Sequence, residues 1–173
     1  MKRSHLARAL LAGAIALSAA LPTAASAQTQ SLGSLIPERG NVPFLASLGT
    51  GVQIYQCNGT AWTFVAPRAT LTDVLGRPII SHFGGPTWQD DKDGSKVVGK
   101  GVASVTVNPK AIPWLLLSGT PSGTGVLAKT TFIQRLLTNG GLAPAASTCT
   151  TANAGRQAEV PYTAEYVFWK KAY

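Results

Sequence analysis

The chain has 173 residues, with 15 lysines and arginines against 7 aspartates and glutamates, a formal net charge of +8. Hydrophobic residues make up 45% of it and charged ones 13%, which excludes a disordered chain; two cysteines and 18 glycines exclude a cysteine-dense mini-scaffold and a collagen-like repeat. The length suits one domain with a sizeable core.

Lys2, Arg3, His5 and Arg8 give the chain a basic start, and Ala9 to Ala20 follows as an uncharged apolar run. Ala25-Ser26-Ala27 then fits the small-x-small pattern of signal peptidase, so residues 1–27 are expected to be a secretory signal peptide cleaved before Gln28. The competing reading, a transmembrane anchor, requires about 20 apolar residues, more than this run supplies. No cysteine stands near the cleavage point to carry a lipid. Later in the chain, the apolar stretch Ile112–Leu117 is brief and interrupted by Pro113, so no membrane span is expected.

Cleavage leaves 146 residues in which 12 basic side chains face 7 acidic ones, a net of +5. Apart from Lys170-Lys171 the basic residues are scattered singly, Arg135 among them, and read as solvated surface. A nucleic-acid binder would show a basic stripe interleaved with aromatics, so no nucleic acid is expected as partner. An exported protein, periplasmic or extracellular, with two cysteines is expected to join Cys57 to Cys149 in one disulfide. Such a bridge closes about 93 residues and is worth roughly 4–5 kcal/mol by loop entropy. A redox or nucleophilic cysteine would need a nearby partner, such as a second cysteine at CxxC spacing, and none exists.

Residues 28–50 carry Gly, Ser and Pro without clean periodicity and read as an N-terminal arm; residues 51–173 form the domain. Val52 to Cys57 reads as a strand ended by Asn58-Gly59, a type I′ hairpin signal, with Ala61 to Pro67 returning. Ala69 to Val74 is a third short strand. Ile79 to Phe83 leads into the sharp turn Gly84-Gly85-Pro86, and Asp93-Gly94 marks a second hairpin before Lys96–Val98 and Val102–Val107. Trp114–Leu117 reads as a buried strand, followed by a loop from Ser118 to Gly125. Thr130 to Thr138 is the one moderate helix candidate, and Gly140-Gly141 ends that element. Residues 142–159 read as a long loop pinned by Cys149. Val160, Tyr162, Ala164, Tyr166 and Phe168 then alternate with polar residues in a closing strand. About eight short strands with little helix predict a single all-β domain, a β-sandwich or a barrel.

Several of these segments together resemble domain of unknown function family 3455, small exported proteins of bacteria and filamentous fungi. They are Tyr55-x-Cys57, Trp62, Ala69-x-Leu71-x-Asp73-x-x-Gly76, His82-x-Gly84-Gly85-Pro86-Thr87-Trp88, Asp93-Gly94-Ser95 and Ile112–Leu117. Phe132–Leu136, Thr138-x-Gly140-Gly141 and Tyr162-x-Ala164-x-Tyr166-x-Phe168 complete the pattern, which covers about residues 35–173. Phe83-Gly84 departs mildly from it, where a Tyr-Ala or similar pair is expected. The resemblance implies an exported domain and brings no established activity or catalytic residues.

His82 is the only histidine after residue 27, and it precedes the Gly-Gly-Pro turn near Trp88. It reads either as a general base or ligand contact or as a histidine bracing the turn. With no second histidine, a His-rich metal site is excluded. Gln89 to Gly94 imitates the opening of a calcium loop, yet Gln89 and Lys100 stand where acids are required, so a charged hairpin tip is the better reading. Asp90 and Asp91 beside Trp88 suggest a sugar-binding face. As strand neighbours they point to opposite faces, which disfavours a glycosidase pair. Gly119 to Gly125 has the composition of a phosphate loop but lacks its Gly-Lys-Ser/Thr ending, so no cofactor is expected. Trp62, Trp114 and Trp169 read as core, with Trp88 the one to line a pocket. Asn58-Gly59-Thr60 is a glycosylation sequon, with meaning only in a eukaryotic secretory pathway.

The candidate ligand-binding residues are therefore His82, Trp88, Asp90 and Asp91, with no catalytic or metal-ligating set. The leading expectation is an exported protein that binds a small molecule, glycan or envelope component. The alternatives are a hydrolase using His82 with a nearby carboxylate and a purely structural envelope protein.

Overall fold

A computed structural model describes residues 31–173. The signal peptide expected at 1–27, and residues 28–30 of the arm, lie outside the described residues. The alternation expected from Val160 onward is realised: Tyr162, Ala164, Tyr166 and Phe168 are buried while Pro161 and Glu165 are exposed. The same period of two runs along the other strands, because successive side chains of a pleated strand leave opposite faces.

Eight strands result: β1 (Asn41–Cys57), β2 (Trp62–Thr72), β3 (Pro78–Phe83), β4 (Thr87–Asp90), β5 (Lys96–Val105), β6 (Trp114–Ser122), β7 (Phe132–Gly140) and β8 (Gln157–Lys171). Each pairs antiparallel with the next, and β8 returns to β1 from Asn41↔Lys171 to Gln56↔Gln157, closing an up-and-down barrel. Of the two all-β forms expected, the barrel is the one adopted. Among the described residues helix is confined to short 3-10 turns, and no helix is long and apolar enough to cross a membrane. The outer faces carry Thr50, Arg68, Thr70, Lys100, Glu159 and Glu165, all exposed.

Leu71, Ile80, Trp88, Val97, Leu117, Ile133, Tyr166 and Phe168 fill the lumen. An eight-stranded barrel is only just wide enough for its own side chains, so bulky rings require small residues opposite. A Cβ on Gly49 would lie 2.6 Å from the Tyr166 ring, and one on Gly99 would lie 2.9 Å from the Trp88 ring and 3.0 Å from Leu117. These glycines are the room into which the rings pack.

Several boundaries differ from the sequence reading. β1 begins at Asn41, so residues 41–50 of the expected arm are strand; their Ser47, Gly49 and Gly51 lack an apolar alternation because that face accommodates rings rather than supplying them. Residues 32–35 form a 3-10 turn that seats Leu35 against the outside of β5 and β6. The two strands expected at 61–67 and 69–74 are one, β2. Asn58-Gly59 does not make a two-residue type I′ hairpin. Cys57 pairs with Trp62, leaving a four-residue loop in which the Asn58 side chain accepts from the N–H of Thr60 and Ala61 at 3.0 and 2.9 Å. β6 continues through Ser122 into the expected loop.

The expected helix over 130–138 is strand β7 instead. Pairing with β6 and β8 on both sides overrides a weak local preference for helix. The outcome decides which way each side chain points. Ile133 faces the lumen, while Gln134 faces outward, where its Nε2 donates to the Leu35 carbonyl at 2.7 Å and its Oε1 accepts from Trp169 Nε1 at 2.8 Å.

The disulfide joins Cys57, at the end of β1, to Cys149 in the loop between β7 and β8. Trp62 Nε1, donating to Thr148 Oγ1 at 2.9 Å, fastens the same loop to β2. Replacing both cysteines by serine is expected to lower the unfolding free energy by about 4–5 kcal/mol, read from urea titrations without reductant. Gly49→Ala, which sets a methyl into the Tyr166 ring, is expected to cost about 1–3 kcal/mol in the same assay.

Candidate functional site

His82 on β3 and Trp88 on β4 are directly paired across the strands, which sends both side chains into the lumen. Their rings stack with centroids 4.2 Å apart and planes 8° from parallel, and Tyr166 meets both edge-on at 5.5 and 5.8 Å. His82 Nδ1 lies 2.9 Å from the carbonyl oxygen of Thr87. A carbonyl only accepts, so Nδ1 carries the hydrogen and Nε2 is the acceptor of the neutral ring. No hydrogen bond to the described residues engages Nε2.

These rings form one wall of a cavity of about 110 Å³. Gln53 of β1, Pro67 of β2, Leu115 and Leu117 of β6, Arg135 of β7 and Tyr166 of β8 complete the interior, with the exposed Phe64 and Pro86 at its rim. The lining is mostly apolar, with a few converging polar groups, as in small-molecule sites. One polar atom of the wall, Trp88 Nε1, is buried without a hydrogen-bond partner, while the Gln53 side chain lies against the Tyr162 hydroxyl.

Arg135 was expected on the solvated surface. It shares the inward face of β7 with Ile133 and donates through Nε and Nη2 to the Pro113 carbonyl at 3.2 and 2.9 Å. Its other neighbours are phenols. The Tyr166 hydroxyl faces both Arg135 and the Tyr162 hydroxyl, the latter at 3.0 Å, and Tyr55 donates to the Gly141 carbonyl at 2.6 Å. Burial raises the pKa of Tyr55, Tyr162 and, furthest, Tyr166, so all three are neutral at physiological pH. Burial likewise draws His82 down to about 4; the Thr87 carbonyl opposes this and the Arg135 charge adds to it. Burial lowers the Arg135 pKa as well, but a guanidinium stays protonated at neutral pH.

Asp90 and Asp91 are placed away from this cavity, at the β4–β5 turn at the opposite end of β4 from Thr87. Asp90 Oδ1 accepts from the N–H of Lys92 and Asp93, both at 2.9 Å, and Asp91 Oδ1 accepts from Ser81 Oγ at 2.7 Å. Asp93 in turn accepts from the N–H of Ser95 and Val126, so a carboxylate already occupies the end of the segment that had the look of a phosphate loop. Of the four sequence candidates, the fold brings together His82 and Trp88. It adds Gln53, Arg135 and Tyr166, which the sequence reading did not single out. Arg135 was hidden by the helical reading; as strand, its position two residues from Ile133 would have placed it inside.

Among the described residues the cavity wall holds no carboxylate, serine, threonine or cysteine. His82 leans on a backbone carbonyl rather than on an acid, and its pKa near 4 makes it a weak base. The parts of the hydrolase alternative are not assembled here.

His82 also ties stability to pH. The unfolded chain protonates it near 6.5 and the folded protein only near 4, so between those values the unfolded state binds more protons. The contribution is therefore complete above about pH 6.5 and lost as pH falls towards 4, amounting to about 3 kcal/mol. His82→Phe, which keeps a flat ring on Trp88, is expected to narrow the stability difference between neutral pH and about pH 4 by roughly 2–3 kcal/mol in denaturant titrations. An unchanged difference would show that His82 titrates freely in the folded protein.

No curated protein and no solved structure matches the chain. A family model described as Protein of unknown function (DUF3455) matches residues 37–170, which takes in every strand of the barrel. The chain belongs to that family.

Proposed function

We propose that this protein is exported and binds a small molecule in the lumen cavity between His82, Trp88 and Arg135. The observation that carries the reading is the set of unused polar groups around that cavity. Trp88 Nε1 has no partner, and His82 Nε2 is an uncommitted acceptor. Leaving a buried donor unsatisfied costs about 1–3 kcal/mol, and a bound molecule offering an acceptor would recover it. The rigid His82–Trp88 stack supplies a flat wall fixed before the ligand arrives, which limits the entropy lost on binding.

Export rests on the basic, apolar and small-x-small order of residues 1–27 and on the Cys57–Cys149 disulfide, a bond that persists in oxidising compartments. Membrane barrels turn a continuous apolar band outward; the outer faces of this barrel intersperse single apolar residues such as Leu48, Val65 and Val98 with Thr50, Arg68, Lys100 and Glu165, which fits a protein in water.

A small-molecule screen read by tryptophan fluorescence and by the His82 ring resonances tests the binding reading. Hits are expected to perturb both His82 and Trp88, and Trp88→Phe is expected to weaken them about tenfold. Hits that map only to the outer faces would overturn it. Export is checked separately by the mass of the protein recovered outside the cytoplasm, expected to begin at Gln28.

A further inference from the structure

Arg135 is a cation placed among neutral groups. The seven acidic residues of the chain are Glu38, Asp73, Asp90, Asp91, Asp93, Glu159 and Glu165, and all lie within the described residues. Glu38, Asp73 and Glu159 pair with Lys171, Arg77 and Arg68. Asp90 and Asp93 accept from turn N–H groups and Asp91 from Ser81. Glu165 is exposed on the outward face of β8. None lines the cavity, and residues 1–30 contain no acid that could reach it. The described residues therefore provide no counter-ion for Arg135.

A guanidinium partly withdrawn from water without an opposite charge carries a desolvation cost that nothing repays. Its Nε and one Nη2 hydrogen are committed to the Pro113 carbonyl, which fixes the plane of the group, and the Tyr166 hydroxyl, itself neutral, is a further hydrogen-bond partner. The neighbouring tyrosines and His82 carry no charge at neutral pH that would answer it. The arrangement has a fixed fork of donors, a cavity beside it and no anion, and it is complete only when an anion arrives from outside.

On the binding reading above, we infer that the ligand is a small monocarboxylate with a flat apolar body, its carboxylate on Arg135 and its body towards the rim at Phe64 and Pro86. Carboxylate matches the planar guanidinium fork. A single cation balances a single charge, whereas a phosphate dianion would leave its second charge unanswered. The size is bounded as well. An engineered cavity of about 150 Å³ holds one benzene, so the 110 Å³ here admits the head of such a molecule and leaves the rest at the mouth.

Benzoate and its neutral isostere benzamide, titrated into the full mature chain and followed by Trp fluorescence and His82 resonances, test this. The wild type is expected to favour benzoate by at least about tenfold. Arg135→Gln is expected to bring that ratio near one, and Arg135→Lys, which keeps the charge but loses the fork, to fall between. Equal binding of the two probes to the wild type, or a preference that survives Arg135→Gln, would overturn the inference and leave the cavity reading standing. Inorganic phosphate displacing benzoate at equal concentration would overturn the monocarboxylate class. If benzoate perturbs neither His82 nor Trp88, the inference fails; if benzamide and the wider neutral screen fail too, the cavity reading fails with it. Should Arg135→Gln not fold, the wild-type ratio of the two probes still decides.

Discussion

The register between the first and last strands, running from Asn41↔Lys171 to Gln56↔Gln157, turns a sheet into a barrel, and almost every other feature follows from that closure. Closure removes the exposed strand edges and leaves a single enclosed space that must be filled by inward side chains alone. β8 supplies the bulk, with Tyr162, Tyr166 and Phe168; β1 supplies the room, with Gly49 and Gly51. The two strands are complementary because they are neighbours, and the disulfide from the end of β1 to the loop before β8 reinforces the same seam.

The filling of the lumen is not complete. Where His82 and Trp88 stack, the lumen retains a cavity of about 110 Å³ whose walls mix apolar surface with groups that ought to be hydrogen-bonded. Protein interiors are ordinarily close-packed and their polar atoms satisfied. A region that departs from both rules at once, inside an otherwise consistent fold, is where function is to be sought. The charge pattern sharpens the point: burial keeps the surrounding phenols and imidazole neutral while the guanidinium stays charged, so the cavity presents one sign of charge.

Much of this was legible along the chain. Turn residues at Gly84-Gly85, Asp93-Gly94 and Gly140-Gly141 mark real strand ends, and the period of two in β8 names its inward face correctly. The cysteine pair was legible because two cysteines leave one pairing. β1 was half missed, since a strand whose inward face is Ser47, Gly49, Gly51 and Gln53 shows no hydrophobic alternation. β7 was misread because a short apolar run with Gln134 and Arg135 suits either period.

The sequence by itself determined the all-β class, the disulfide, the strand punctuation and the closeness of His82 to Trp88, because each depends on residues near one another or on a choice with one outcome. The tertiary structure decided barrel over sandwich, the inward direction of Arg135 and the separation of Asp90 and Asp91 from the cavity. Those depend on which strands meet across the lumen. Burial and the absence of a counter-ion are properties of that meeting, and no local stretch of residues carries them.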